Sequence, residues 1–162
     1  MRAAALLLAL GLTACMPMVE MPTVPTSFDR VTADAEGLQP VGSDLRIDFG
    51  RAQEGVIETV SRLLGSDPTD ITTSPDCGDV TAAYWRAGLT LNFVEGDFRG
   101  WVLTEPGLTA AGGLTVGDTP PPVTMATTTL GREFEIDGVW ALVEDTGPEI
   151  TTIWSGRTCF FR

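Results

Sequence analysis

Residues 80–103 read VTAAYWRAGLTLNFVEGDFRGWVL, and their alternation decides the fold. Leu89, Leu91 and Phe93 point one way, with Thr90 and Asn92 opposite, the period of two that belongs to a strand. Ala87-Gly88 and Glu95-Gly96-Asp97 are turn-forming breaks on either side. The spacing predicts three strands near 80–86, 89–94 and 98–103, connected as an antiparallel meander.

Upstream, the folded part is expected to start near Leu38, and Leu45-Arg46-Ile47-Asp48-Phe49 alternates like a short strand. A helix is predicted over 52–64. Val56, Ile57, Val60, Leu63 and Leu64 fall at i, i+1, i+4, i+7 and i+8, one helical face. Gly65 is a favourable stop, whereas Gly55 inside the helix weakens it by about 1 kcal/mol. Downstream, the plan repeats. Leu114-Thr115-Val116-Gly117 matches the stretch 45–50, and a segment from Val123 ends in Leu130-Gly131 as the first helix ends in Leu64-Gly65. Strands are expected at 132–136, 139–143 and 150–154, with Asp137-Gly138 as a tight hairpin turn. Pro120-Pro121-Pro122 and the threonine run lower helical propensity in the second unit. The expectation is a single α+β domain over 38–162. Tandem helix-plus-antiparallel-meander repeats (38–110 and 111–162) would form one sheet with helices on one face, because a lone meander has too few strands to be stable.

The N-terminus carries a different signal. Met1-Arg2 is positive, residues 3–12 are almost wholly apolar, and Leu12-Thr13-Ala14-Cys15 follows. A charged start, a short apolar core and small residues before a cleavage point read as a signal peptide over 1–14. The apolar run is too short to span a bilayer, which takes about 20 residues. Leu12-Thr13-Ala14-Cys15 resembles the lipobox of bacterial lipoproteins. That resemblance implies cleavage before Cys15, attachment of diacylglycerol to its thiol and acylation of its new amino group. Lipid chains such as palmitate would then hold the protein to a membrane, since two or more chains anchor stably. Met16 follows the cysteine, where the family's sorting rule places Asp for inner-membrane retention, so the resemblance implies the periplasmic face of the outer membrane. Residues 15–37 read as the lipidated cysteine and a tether. Met16, Pro17, Met18, Met21, Pro22 and Pro25 alternate with small polar residues without apolar periodicity. With Cys15 taken up by lipid, no His or Cys supports the methionines as a copper site, and a spacer accounts for them better.

Cleavage would leave 162 − 14 = 148 residues, one domain's worth. With Arg2 gone the formal charge moves from −12 to −13, and the chain's ten basic residues are all arginines. So acidic a surface disfavours nucleic acid and anionic lipid heads. Cys77 and Cys159 remain after Cys15, and in an oxidising envelope an even pair reads as a disulfide. The bond would close a loop of about 80 residues, worth roughly 4–5 kcal/mol in the chain-entropy account.

Several chemistries are missing their residues. Without histidine there is no Ser-His-Asp arrangement and no imidazole metal site, and without lysine no Schiff base. No glycine-rich nucleotide motif occurs. The sequence therefore points to no cofactor, metal ligand or catalytic residue. Carboxylates are the one catalytic class left: Glu144-Asp145 with Glu149, and Glu95 with Asp97, flank turns and could serve glycoside hydrolysis or bind calcium. Solvated turns explain them more simply. Trp85, Trp101, Trp140 and Trp154 all lie in predicted strands. Most should fill the core, but tryptophan is also a binding hot-spot residue, so they are the candidate partner-binding positions.

Gly50, Leu64-Gly65 and the strand pattern around Trp85 and Trp101 resemble the beta-lactamase-inhibitor-protein-like fold. They also resemble the small outer-membrane lipoprotein domain that accompanies the barrel-assembly machinery. Both resemblances imply a short helix before a meander. The functional expectation is a non-catalytic envelope lipoprotein that binds a protein partner or helps envelope assembly. A carboxylate-dependent, glycan-directed hydrolase and a secreted protein inhibitor are the alternatives.

Overall fold

The computed structural model describes residues 30–159. The signal peptide, Cys15, the Met/Pro-rich segment and residues 160–162 lie outside that range. Within it the chain forms two β-sheets and one α-helix, α1 (Gln53–Leu64), with short 3-10 turns.

The larger sheet has eight antiparallel strands: β4 (Asp70–Ser74), β5 (Val80–Tyr84), β6 (Leu89–Val94), β7 (Asp97–Leu103), β10 (Ala126–Thr127), β11 (Arg132–Ile136), β12 (Val139–Val143) and β13 (Thr152–Gly156). Their order is β10-β11-β12-β13-β7-β6-β5-β4. The two meanders therefore join through β7 and β13, with Ile153 opposite Leu103 and Trp154 opposite Val102. The hairpin turns are dictated locally. Asp137 and Gly138 have φ of 52° and 78°, and Glu95 and Gly96 have 53° and 82°. That left-handed pair is the turn whose twist suits a two-residue hairpin, and glycine adopts it without a Cβ clash.

The smaller sheet contains β1 (Val31–Asp34), β2 (Gly37–Pro40), β3 (Ile47–Asp48), β8 (Thr109–Ala110) and β9 (Leu114–Thr115), in the order β3-β2-β1-β8-β9. Only β1 and β8 pair in parallel. The two short stretches matched in the sequence, 45–50 and 114–117, contribute β3 and β9, the opposite edges of this sheet. A single core joins both sheets and the helix. Leu38 and Ile47 meet Leu91, Phe93, Phe98 and Trp101, and α1 adds Val56, Val60 and Leu64.

The α+β tandem plan is overturned. The fold is β-rich, and the second unit has no α-helix matching α1. The segment after Pro120-Pro121-Pro122 is extended and supplies the short strand β10. Three prolines remove backbone donors, and β-branched Thr127, Thr128 and Thr129 lose rotamer freedom in a helix. Thr128 Oγ1 instead accepts the Leu130 N–H at 3.2 Å and makes a local turn. The expected arrangement of repeats with helices on one face of a single sheet falls with it. Three further boundaries differ. β1 lies inside the stretch read as tether, because Val31 and Ala33 are buried on the inward side of a hairpin. The first meander gains an outer strand, β4, from the Pro/Asp/Gly-rich stretch 66–79. The last strand starts at Thr152 rather than Ile150, because the Ile150 N–H donates to Asp118 O and its carbonyl accepts from Gly117.

Candidate functional site

An apolar groove of about 590 Å³ lies between α1 and the loop joining β2 to β3. Its helical wall is Ala52, Gly55, Val56, Thr59 and Leu63, spaced at three and four residues and so on one face. The opposite wall is Pro40, Val41, Leu45 and Ile47. Gly55 now has a structural meaning. A Cβ built there would meet no atom within 4 Å, so the helix omits a side chain where the groove lies.

The loop wall is held rigidly. Arg46 donates from Nη2 to Asp34 Oδ1 at 2.8 Å, from Nε to Asp48 Oδ1 at 3.0 Å and from Nη1 to Gln39 Oε1 at 3.2 Å. Gln39 Nε2 in turn donates to the Ser43 carbonyl at 2.6 Å. Asp34 Oδ1 also accepts the N–H groups of Glu36 and Gly37. Partial burial pushes the Asp34 carboxyl up. The hydrogen bond from Arg46, the two backbone N–H groups and the Arg46 charge outweigh it and hold the carboxyl below its usual range. The same contacts raise the Arg46 guanidinium further above its usual value. On this braced loop Val41 is 62% exposed and Leu45 78% exposed, two large apolar side chains held in water at the groove's edge. Arg51, also lining the groove, makes no ion pair among the described residues.

The candidate tryptophans are not brought together here. Trp85 is buried, its Nε1 donating to Ser66 O at 3.1 Å, and Trp101 is fully buried. Trp154 is buried on the outward face of the large sheet with Val102 and Leu142. Trp140 alone of the four is exposed, stacked on Trp154 with centroids 6.4 Å apart. The acidic turns are likewise dispersed: Glu95, Glu144, Asp145 and Glu149 are exposed, and Asp97 is paired with Arg99 at 2.7 Å. No group of three or more His, Cys, Asp or Glu among the described residues could hold a metal ion. Cys77 and Cys159 form a disulfide, with Cα atoms 5.6 Å apart. The groove residues Val41, Leu45, Arg51 and Gly55 escaped the sequence reading; a glycine within an amphipathic helix was the one signal that could have marked them.

The chain matches no family model, no curated protein and no solved structure.

Proposed function

We propose that this protein is a lipid-anchored envelope protein whose folded domain is a binding module, and that the groove beside α1 takes an apolar segment of a protein partner. Its observation is the braced loop: Val41 and Leu45 are held exposed by a hydrogen-bonded network, beside a groove of ligand-pocket size. A soluble domain gains nothing from two fixed, exposed apolar side chains at a groove unless something covers them. Arg51 adds a cation at the rim of a strongly acidic protein, so a carboxylate next to the apolar segment would complement it. The membrane placement is supported by the lipobox-like Leu12-Thr13-Ala14-Cys15.

The test is site-specific photocrosslinking from Leu45 in the native envelope, with and without Gly55→Leu. Leucine at 55 fills the groove while raising helix propensity by about 1 kcal/mol, so lost binding would not reflect unfolding. A discrete adduct that disappears in Gly55→Leu is expected. No adduct, or one indifferent to Gly55→Leu, refutes the reading.

A further inference from the structure

We propose that the outward face of the large sheet binds a neutral saccharide, in a groove built around the side-chain amide of Asn92. This site is separate from the groove beside α1. Residues of β4, β5, β6 and β7 enclose about 460 Å³ on that face. Asn92 lies in β6, and its neighbours Leu91 and Phe93 both turn into the core. Its own side chain therefore points the other way, into the groove. Across the strands it faces Ala82 on β5 and Gly100 on β7, the two smallest residue types, so neither covers the amide. Glycine is required at 100, because the Arg157 main chain lies where a Cβ would stand. That crossing shelters Asn92, which is 3% exposed. Its side-chain amide makes no hydrogen bond among the described residues. A sheltered amide, with two donors and an acceptor, calls for a partner.

The lining defines the ligand. Val80, Ala82 and Val102 supply apolar surface around Asn92. The hydroxyls of Ser74 and Thr90 also line the groove and make no hydrogen bond among the described residues. Tyr84 adds an aromatic ring that is 40% exposed. No charged side chain among the described residues lines the groove, although the chain carries 22 acidic and 10 basic residues. An ionic ligand would find no counter-charge there, so the occupant is neutral. It must offer hydroxyls or amides to Asn92, Ser74 and Thr90, and apolar surface to the valines and Tyr84. A pyranose combines the two, with C–H groups on its faces and hydroxyls around its rim. The volume suits a small ligand, since such pockets run from about 300 to 1,000 Å³ and pair apolar walls with a few placed polar groups. An extended peptide instead draws its affinity from an open sheet edge, and β5, β6 and β7 are each paired on both sides.

The test is a nuclear magnetic resonance titration of the oxidised chain with cellobiose and with N,N′-diacetylchitobiose. The side-chain amide of Asn92 and the methyls of Val80 and Val102 are the reporters. Saturable shifts of all three, with a dissociation constant in the millimolar range, are expected from at least one disaccharide. Asn92→Leu should weaken that binding tenfold or more, and Tyr84→Ala several-fold. The proposal is overturned if neither disaccharide gives saturable shifts at these reporters. It is equally overturned if trialanine amide, a neutral peptide, shifts them as strongly, or if folded Asn92→Leu binds as well as the unmodified protein. The titration of the unmodified protein decides the matter even if a variant fails to fold. Because no reporter lies in the groove beside α1, the outcome is also independent of crosslinking from Leu45.

Discussion

Trp101, on the large sheet, reaches across the interior and donates from its indole Nε1 to the main-chain carbonyl of Asp34 at 2.7 Å. Asp34 belongs to the small sheet, and its side chain braces the loop that walls the groove through Arg46. One residue thus connects the packing of the two sheets to the candidate site. Trp101→Phe keeps most of the buried ring but removes the donor. A loss of about 1–3 kcal/mol is expected, the usual range for a buried polar group losing its partner. Urea denaturation of the oxidised protein measures it.

The depressed Asp34 carboxyl makes a signed prediction about pH. A group whose folded value lies below its unfolded value of about 3.9 stabilises the fold above that pH. The contribution is lost as pH falls through the folded value. The stability advantage of the unmodified protein over Asp34→Asn should therefore be constant near neutrality. It should shrink on acidification below about pH 4. Denaturation curves for both proteins across that range check it; an advantage that grows in acid would contradict the Arg46–Asp34 assignment.

Gly55 is exposed on α1 with open space before it. Gly55→Ala should stabilise the domain by up to about 1 kcal/mol, because alanine is the better helix former and nothing obstructs its methyl. Thermal unfolding gives the answer directly. A destabilised Gly55→Ala would mean that the groove wall is more tightly packed than the geometry allows.

The disulfide closes a separation of 82 residues and ties the start of β5 to the end of β13. Cys77→Ser/Cys159→Ser should cost up to about 4–5 kcal/mol, most of it by freeing the unfolded chain. Intact mass of the native protein after alkylation should show neither thiol modified. Two alkylated cysteines would refute the bond.

Cys15→Ser tests the anchor, which lies outside the described residues. Loss of lipidation should leave the protein unprocessed or move it to the soluble fraction. A processed variant that still sediments with membranes would rule out the lipoprotein reading.

Much of the sheet was legible before the structure. Strands 89–94, 132–136 and 139–143 coincide with β6, β11 and β12, and 52–64 matches α1 to within one residue, because period-two or helical spacing and glycine turns are local signals. A Leu-Gly ending does not make a helix of the second segment, because the proline run before it removes backbone donors and leaves the chain extended. Strand β4 was missed because Asp70-Ile71-Thr72-Thr73-Ser74 is an almost wholly exposed edge with no buried face to pattern it. Trp101 and Trp154 appeared equivalent, yet they face opposite sides of the sheet. Register aligns Trp154 with Val102 and Ser155 with Trp101, an offset of one residue that reverses the face.

By itself the sequence determined the turns, the strand segments flanking them, the amphipathic helix and the one cysteine pair left once Cys15 is set aside. Each of these depends on neighbours a few residues apart. The tertiary structure alone decided the strand order, the face each tryptophan takes, and the groove. The loop 41–46 and the α1 face meet only because β3 pairs with β2, Gly50 N–H donates to Phe98 O, and Arg46 clamps Asp34 from twelve residues away. Such long-range pairings depend on the closure of the whole core, and no local pattern records them.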